Sequence, residues 1–495
     1  MTKRNKNNAH DNAFFLPLDG PETPDTPIDE TPTPADFAEL AEVEAELDQR
    51  WPETKIEPSL ARISALMELL GAPQHSFPSI HIAGTNGKTS VSRMIDALLT
   101  RLGQRTGRTT SPHLQLVTER INVDNAPLSP RRYIDTYREL KPYIGMIDQQ
   151  SEAAGGPRMS KFEVLTAIAF SAFADAPVDV GIIEVGLGGR WDATNVVNGQ
   201  VAVITPISTD HIEYLGPDLT SIAAEKAGII KKAPEKLIPT DTVAIIARQE
   251  PEVMEVLLRQ AVASDAAVAR EGSEFNVMLR QVAVGGQQLT LQGLGGVYED
   301  VFLPLHGEHQ ARNAATALAA VEAFFGAGRD RQLDIDAVRE AFMTVTSPGR
   351  LERVRAAPTV FLDAAHNPDG ARALAAALTS EFDFRRLIGI VAVMADKDAS
   401  GILDALEPVF DEIVVTTNGS PRAMHADELA ALALARFGED RVIVSPDLAN
   451  AIEVAVARAE DTTEPGEQVS GAGIVITGSV VTAGTARTLF GREPA

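Results

Sequence analysis

Cysteine is absent from the 495-residue chain, which excludes disulfide bonds and thiolate metal sites. Such a composition is typical of a reducing compartment. No uncharged apolar run approaches the ~18 residues that a membrane-spanning helix needs, and the polar, acidic start lacks the pattern of a secretory signal peptide. The sequence therefore predicts a cytoplasmic protein that does not enter a membrane.

Basic residues are scarce relative to acidic ones. The chain has 44 Lys and Arg residues against 69 Asp and Glu residues, a formal net charge of −25. This charge repels nucleic acid and anionic membrane surfaces, so neither is an expected partner. If the ligands are anions, hydrogen-bond donors and positive charges close to the site must bind them, because the net negative charge of the protein repels them.

The predicted elements divide the chain into a leader and two domains. Residues 1–36 are rich in Pro, Thr and acidic residues, which indicates a disordered, solvated leader or an interaction tail. Residues 37–345 alternate strands with helices, which is typical of a parallel sheet covered on both faces. They also include a small antiparallel meander at 274–305. Residues 346–495 form a second, smaller Rossmann-like α/β alternation, after a linker at 346–349.

Apolar periodicity gives the approximate positions of these elements. In the first domain it predicts helices at 37–47, 60–70, 91–102, 162–173, 222–230, 309–325 and 337–345, and strands at 77–83, 178–183 and 201–207. In the second domain it predicts strands at 360–362, 388–393, 413–416 and 442–444, and helices at 370–378, 401–406, 426–436 and 448–459.

A glycine-rich loop lies between the strand at 77–83 and the helix at 91–102. Its sequence is Gly84-Thr85-Asn86-Gly87-Lys88-Thr89. Backbone N–H groups and the following helix N-terminus can surround phosphate oxygens, while Lys88 reaches the β- and γ-phosphates and the Thr89 hydroxyl binds Mg²⁺. The usual P-loop spacing requires a glycine at position 82, where this chain has Ile82, so the loop is a shortened variant. An ordinary turn into a helix is the alternative, but the later motifs favour a P-loop ATPase domain.

Two further strands end in residues that suit a metal or nucleotide site. Glu184 follows the strand at 178–183, and His211 closes the segment after the strand at 201–207. Carboxyl ends of parallel strands line the crevice in which such sheets bind ligands, and carboxylates bind Mg²⁺. The alternatives are a solvated acid and a structural histidine. His306 and His309 are interpreted as structural or nucleotide-contacting.

Lys226 lies in the predicted helix at 222–230. The pattern alone predicts that Glu225 and Lys226 are solvated surface charges, and nothing in composition or spacing gives Lys226 another role.

Taken together, the motifs resemble those of the folylpolyglutamate synthase/dihydrofolate synthase family within the Mur ligases. The likeness runs from about residue 37 to the C-terminus and is greatest to the bifunctional actinobacterial form. The motifs that carry it are Gly84–Ser90, Thr110-Ser111-Pro112-His113-Leu114, Glu184–Arg190, Asp210-His211, Glu225–Ile230, His306–Gln310 with Asn313, Pro348–Glu352 and Asp363–Pro368.

This resemblance implies a role for each matching residue. ATP and its Mg²⁺ would be held by Gly84, Thr85, Asn86, Gly87, Lys88, Thr89, Ser90, Gln310 and Asn313, with Arg350 and Asp363 from the second domain. Ser111 and Glu184 would hold one Mg²⁺ and His211 a second, and Lys226 would be carbamylated by CO₂ to become a metal ligand. His366 would lie near the reacting phosphate, so that Lys88, Lys226, Arg350 and His366 form the catalytic set. The family often has Gly where this chain has Ala364, which leaves the local turn in doubt.

The same resemblance implies an ATP-dependent ligase that adds L-glutamate to dihydropteroate and to the γ-carboxyl of reduced folates. The reaction would pass through an acyl phosphate and give ADP and phosphate, with ATP and Mg²⁺ as cofactors and a monomeric enzyme. A peptidoglycan-building Mur ligase is the nearest alternative, but the ~45 ordered residues before Gly84 are too few for a UDP-binding domain. A non-catalytic nucleotide switch is the other, and it leaves the second domain unexplained.

Overall fold

The computed structural model describes residues 31–51, 58–233, 242–326, 328, 331–461 and 471–494. Residues 1–30 of the predicted leader lie outside this part. The helices are α1 (Pro34–Leu47), α2 (Ala61–Leu69), α3 (Lys88–Arg101), α4 (Pro130–Ala153), α5 (Lys161–Asp175), α6 (Ile212–Leu215), α7 (Leu219–Ala227), α8 (Pro251–Ala263), α9 (Glu308–Phe324), α10 (Ile335–Met343), α11 (Pro368–Glu381), α12 (Ala399–Leu406), α13 (Ala426–Phe437), α14 (Leu448–Glu460) and α15 (Val480–Leu489).

The strands belong to three sheets. They are β1 (Ser79–Ala83), β2 (Thr106–Thr109), β3 (Ile121–Val123), β4 (Ala126–Pro127), β5 (Val180–Glu184), β6 (Gly199–Ile204), β7 (Val243–Ile246), β8 (Ala267–Arg270), β9 (Asn276–Ala283), β10 (Gly286–Gln292), β11 (Val297–Leu303), β12 (Glu352–Ala356), β13 (Thr359–Leu362), β14 (Arg386–Val391), β15 (Glu412–Val415), β16 (Val442–Val444) and β17 (Ala472–Thr477).

The largest sheet has the strand order β4-β3-β2-β5-β1-β6-β7-β8. All neighbours from β2 to β8 pair in parallel, whereas β3 and β4 pair antiparallel at one edge. Strand β1 is buried along its whole length because β5 and β6 flank it and helices cover both faces. Its carboxyl end therefore leads directly into the loop at 84–87, at the centre of the sheet.

Separate apolar clusters cover the two faces of this sheet. On one face, α3, α9 and α10 pack with the antiparallel meander β9–β11, as the Gly-rich, alternating pattern predicts. Helices α1, α2, α4 and α5 form a second cluster, and α7 and α8 form a third. The meander thus extends the apolar core around α3, the helix that follows the glycine loop.

The smaller sheet has the order β12-β13-β17-β14-β15-β16, parallel except for the edge strand β12. Helices α11, α12 and α13 pack on one face, and α14 packs on the other with the end of α15. The overall α/β prediction, a large parallel sheet followed by a smaller Rossmann-like sheet, is confirmed.

Several element boundaries differ from those predicted. Helix α1 begins at Pro34 and not after residue 36, because Thr33 and Asp36 form a capping box and proline is compatible with a first turn. Helix α3 begins three residues early, at Lys88, where polar residues hide the periodicity. Helix α7 ends at Ala227, so the apolar residues at 229–230 follow the helix and do not extend it. No helix in the described ranges is long and apolar enough to cross a bilayer.

Candidate active site

A cleft of about 230 Å³ lies between the two main sheets. Loops at the carboxyl ends of β1, β5, β6 and β13 line it, together with the start of α9 and one side of α11. Every residue predicted for the site lines this cleft: Gly84, Thr85, Asn86, Gly87, Lys88, Thr89, Ser90, Ser111, Glu184, His211, Lys226, Gln310, Asn313, Arg350, Asp363 and His366. The structure thus brings the whole set together, and the individual roles stay predictions.

The glycine loop is built against the end of β6. Gly84 has φ +148°, and a Cβ there would lie 1.9 Å from the Thr205 Oγ1 atom, so a side chain is excluded. The backbone N–H groups of Thr85 and Asn86 donate to the Pro206 carbonyl at 2.9 and 3.2 Å. These contacts set the start of the turn that precedes α3.

Lys88 folds back over the same loop. Its Nζ atom donates to the carbonyls of Gly84 and Thr85 at 3.0 and 3.1 Å. Desolvation lowers the pKa of Lys88 from its ordinary value, and the charges of Glu184 and Asp210 oppose that shift. The loop therefore keeps this cation beside its own backbone turn, where phosphate oxygens would approach.

Glu184, the last residue of β5, is 2 % exposed. The Thr89 hydroxyl donates to its Oε1 atom at 3.1 Å, whereas its Oε2 atom has no hydrogen-bond partner among the described residues. Burial raises the pKa of Glu184 to about 7, against the opposing charge of Lys88. A buried carboxylate oxygen without a partner is costly, and a bound cation would remove that cost.

The donor set around Glu184 suits Mg²⁺. No group of three or more His, Cys, Asp or Glu side chains that could hold a metal occurs in the described part of the chain. Mg²⁺ does not need one, because it binds through one or two carboxylates, hydroxyls, waters and substrate phosphates. Glu184 and the Thr89 hydroxyl are in contact, and Ser111 lines the same cleft. These residues fit the predicted ion.

Lys226 is buried and not a solvated surface charge, which corrects the expectation from its pattern alone. It is 5 % exposed, on the last turn of α7, and its Nζ atom donates to the Gly84 carbonyl at 2.8 Å. Desolvation, assisted by the positive charge of Lys88, lowers the pKa of Lys226 to about 7. A substantial fraction of the amine is therefore neutral near pH 7, and the neutral amine is the form that reacts with CO₂.

Asp210 lies beside a lysine and two histidines that come from both domains. Lys397, in the loop after β14, donates to Asp210 Oδ1 at 2.7 Å. The Nε2 atoms of His366 and His211 lie 3.6 and 3.7 Å from Asp210 Oδ2. Burial would raise the pKa of Asp210, but the adjacent His366, His211 and Lys397 hold that pKa well below its usual range. Sequence reasoning missed Lys397, and its place just after the predicted strand at 388–393 was the available signal.

A chain of polar side chains joins α3 to α9 on the other side of the glycine loop. The Gln310 Nε2 atom donates to Ser90 Oγ at 3.3 Å, and the Asn313 Nδ2 atom donates to Gln310 Oε1 at 3.2 Å. The hydroxyls of Ser90 and Ser347 are 3.2 Å apart. Because Ser347 belongs to the predicted linker, this chain ties the loop to the start of the second domain.

Asp363 organises the turn that follows β13. Its two oxygens accept the backbone N–H groups of Leu351 and Ala365, each at 2.8 Å. Burial raises the pKa of Asp363, while the charge of Arg350 opposes the shift. Ala364 has no positive φ and its N–H donates to the Gly349 carbonyl at 2.8 Å. The turn therefore accommodates alanine, which removes the doubt that this departure raised.

The two histidines of the 306–310 motif, His306 and His309, have different surroundings in the structure. His309 lines the cleft, whereas the Nδ1 atom of His306 lies 2.9 Å from Glu381 Oε2, in α11 of the second domain. Arg312 and Glu271, which pair with each other and also line the cleft, were missed because neither belongs to a recognisable motif.

Comparison with known proteins places this fold and cleft in a class. Residues 82–321 match the Mur ligase middle domain, and residues 349–479 match the Mur ligase glutamate ligase domain. The chain therefore contains the middle domain and the glutamate ligase domain of the Mur ligases.

The relatives define the family within that class. The chain is 66 % identical over 470 residues to the dihydrofolate synthase/folylpolyglutamate synthase of Mycobacterium tuberculosis, covering 94 % of this chain and 96 % of that protein. It is 32 % identical over 407 residues to the Escherichia coli protein of the same name, covering 82 % and 88 %. The chain belongs to the dihydrofolate synthase/folylpolyglutamate synthase family, and it is a ligase.

Solved structures agree with this assignment. Folylpolyglutamate synthase from M. tuberculosis complexed with ADP superposes with a TM-score of 0.88 at 64 % identity, covering 93 % of this chain and 100 % of that chain. Escherichia coli FolC in complex with DHPP and ADP gives a TM-score of 0.77 at 28 % identity, covering 93 % and 99 %.

Proposed function

We propose that this protein uses ATP to add L-glutamate both to dihydropteroate and to the γ-carboxyl group of reduced folates. The observation that carries the proposal is the single cleft in which Lys88, Glu184 and Lys226 of the first domain face Arg350 and His366 of the second. A ligase of this kind needs the residues of both domains in one cleft, because the nucleotide and the two substrates must meet in one place.

The proposed chemistry overcomes the poor reactivity of a carboxylate. A carboxylate oxygen of the acceptor attacks the γ-phosphorus of ATP, the bond to the β–γ bridging oxygen breaks, and ADP leaves. The α-amine of L-glutamate then attacks the acyl carbon, loses a proton and displaces phosphate. An amide, ADP and phosphate are the products.

Lys88 and Arg350 are proposed to stabilise the charge that spreads over the transferring phosphoryl oxygens. Phosphoryl transfer depends mainly on positioning and charge stabilisation, and both cations line the cleft. The proposal places His366 beside the same group, where contact between its Nδ1 atom and the Ala364 carbonyl at 3.0 Å orients the ring. Gln310, Asn313 and Asp363 would contact the nucleotide or the segments that carry it.

Thr89, Ser111 and Glu184 would hold one Mg²⁺, and His211 with a carbamylated Lys226 would hold a second. An ion held by these residues would neutralise charge on the phosphate oxygens. The support from this chain is the unpartnered oxygen of Glu184 and the hydroxyl of Thr89 beside it.

Carbamylation of Lys226 would follow from its environment. The ammonium first loses one proton to solvent. The neutral amine then attacks CO₂, a C–N bond forms and a second proton is released, so that the side chain becomes a carboxylate-like anion. Burial and the adjacent Lys88 both favour loss of the positive charge. The carbamate would therefore relieve a repulsion between two lysines and supply a metal ligand.

The experiment is glutamate-dependent ADP release from purified protein, with dihydropteroate and tetrahydrofolate offered separately in the presence of Mg²⁺ and bicarbonate. Turnover with both acceptors supports the full proposal, and turnover with one assigns the enzyme to that step alone. Absence of turnover with both would exclude folate-type acceptors and overturn the proposal.

A further inference from the structure

The last helix of the second domain contacts a loop of the first domain at very short range. A Cβ added at Gly484, on α15, would lie 1.9 Å from the Leu114 carbonyl oxygen. A Cβ at Gly349, in the interdomain linker, would lie 3.2 Å from the Leu114 side chain. Leu114 is therefore packed between two glycines that belong to two different segments.

One buried arginine joins the same three segments. Arg487, on α15, is 4 % exposed. Its Nε atom donates to Gln115 Oε1 at 2.8 Å, one terminal nitrogen pairs with Glu352, and the other donates to the Glu493 carbonyl at 2.6 Å. A guanidinium can hold all three partners because its donors point in fixed, divergent directions.

Gln115 belongs to the loop at 111–119, which begins with the cleft residue Ser111. The Glu119 carboxylate accepts the backbone N–H groups of Leu114, Gln115 and Leu116 at distances from 2.8 to 3.3 Å. Residues 114–116 are therefore tied to the short helix at 117–120, three residues after the cleft residue Ser111. Gln115 is also fixed from outside, because its Nε2 atom donates to the Arg492 carbonyl at 2.8 Å.

Glu352 connects Arg487 to the nucleotide side of the cleft. Its second carboxylate oxygen accepts the Gly349 N–H group at 2.8 Å. Gly349 precedes Arg350, which lines the cleft, and the next residue, Leu351, donates to Asp363. Arg350 thus lies in a turn that Glu352 stabilises, and Glu352 is itself paired with Arg487.

We infer that Arg487 is a positioning residue that holds the 111–119 loop and the 347–352 linker in one fixed arrangement. Because the loop carries Ser111 and the linker carries Arg350, ordering of either segment by a ligand orders the other. Arg487 itself touches no substrate in this account, and it acts through Gln115 and Glu352. The ligand-binding part of this inference rests on the proposed function, whereas the mechanical link does not.

Hydrogen–deuterium exchange on the ligand-free protein tests the mechanical link. In Arg487→Met, exchange is expected to rise about tenfold at the amides of 114–116 and of Gly349, because local opening becomes cheaper. Gln115→Ala, which keeps the buried guanidinium, is expected to give a smaller rise at 114–116 only. Unchanged exchange at both segments in Arg487→Met would overturn the inference.

Arg441→Met is the matched control. Arg441 also makes several hydrogen bonds, to Glu407 and to the carbonyls of Phe410 and Asp411, but all its partners lie within the second domain. This variant is expected to lose stability without faster exchange at 114–116 or at Gly349. Faster exchange at both segments in Arg441→Met would identify general loosening of the domain and would overturn the inference.

Calorimetry tests the coupling between ligands. The Kd of a non-hydrolysable ATP analogue is measured with and without dihydropteroate. Bound dihydropteroate is expected to lower this Kd about tenfold. Arg487→Met and Arg487→Lys are expected to lose this factor, because lysine lacks the divergent donors, whereas Arg441→Met keeps it. A factor that survives in Arg487→Met, or that is absent from the unaltered protein although both ligands bind, would overturn the coupling. If dihydropteroate does not bind at all, the proposed acceptor is wrong and the exchange experiment alone decides the role of Arg487.

Discussion

Asn86 of the glycine loop and Asn367 of the second domain are joined by their side-chain amides, with Asn367 Nδ2 donating to Asn86 Oδ1 at 3.1 Å. The Asn367 Oδ1 atom also accepts the Gly370 N–H group at 2.8 Å and so caps α11. One residue therefore begins a helix of the second domain and holds the phosphate-binding loop of the first.

Two substitutions at Asn367 separate these functions. Asn367→Ser keeps a good cap but is too short to reach Asn86, so its unfolding free energy should stay within about 0.5 kcal/mol of the original. Asn367→Ala loses the cap as well and should be about 1 kcal/mol less stable. Both should raise the KM for ATP about fivefold, the value of one hydrogen bond. An unaltered KM in Asn367→Ser would contradict a role for the interdomain bond.

Replacement of Lys226 by alanine should reduce turnover much more than nucleotide affinity. The carbamate would be lost, and with it a metal ligand, so kcat should fall at least about a hundredfold while the Kd for ATP changes only a few-fold. Intact-mass spectra near neutral pH should contain a CO₂ adduct that is absent from the variant. Lys232→Ala, which removes an exposed lysine nearby, is the control. Full activity of Lys226→Ala would refute the carbamate.

The raised pKa of Glu184 predicts a specific pH dependence of stability in the metal-free protein. The folded state holds the Glu184 proton up to about pH 7, whereas a solvated glutamate side chain in the unfolded chain releases it near 4.5. The folded state therefore binds more protons between these values, and its free energy of unfolding should fall as pH rises through that window. Relative to Glu184→Gln, the loss should be about 3 kcal/mol. Denaturant unfolding in EDTA across this range measures it, and parallel pH profiles for the two proteins would contradict the prediction.

Glu381 makes a further contact between the two domains, and loss of its charge should weaken that contact. The side chain of Glu381 is fully buried, pairs with Arg280 and His306, and accepts the Gly307 N–H group at 2.7 Å. Glu381→Gln should lower the free energy of unfolding by about 2 kcal/mol, because charged hydrogen bonds are lost in a buried site. Asp404→Asn, which breaks the exposed pair with Arg436, should cost less than about 1 kcal/mol. Equal losses in chemical denaturation would argue against an anchoring role for Glu381.

Local patterns predicted the parts of the fold in which burial follows periodicity. The run before Gly84 is fully buried in β1, and Glu184 lies at the end of β5, because strands between covering helices are apolar throughout. Strand β17 was not predicted at all, and its insertion between β13 and β14 depends on long-range pairing that no local pattern encodes. The 24-residue helix α4 was also missed. Its buried residues do recur at helical spacing, but its sequence is polar on average and contains Pro142, which argues against a helix interior.

The residues of the candidate site likewise fall into those that local patterns predict and those that depend on tertiary contacts. Glycine-loop and strand-end residues could be chosen from position alone, because parallel strands bring their carboxyl ends to one edge. The burial of Lys226 depends on contact between α7 and the glycine loop, which no local pattern encodes. The pairing of Lys397 with Asp210 depends on how the two domains face each other. The roles taken from the family resemblance remain predictions until variants are measured.

The central place of β17 affects how the polypeptide folds as it is synthesised. The strand at 472–477 supplies the middle of the second sheet and pairs with both β13 and β14. A nascent chain that has emerged only as far as α14 therefore has two unjoined groups of strands, and neither can complete the sheet. The nucleotide-binding half of the cleft can form on the ribosome well before its counterpart. A polypeptide that lacks residues 472–477 therefore cannot assemble the second half of the cleft, and the cleft closes only after that strand has been translated.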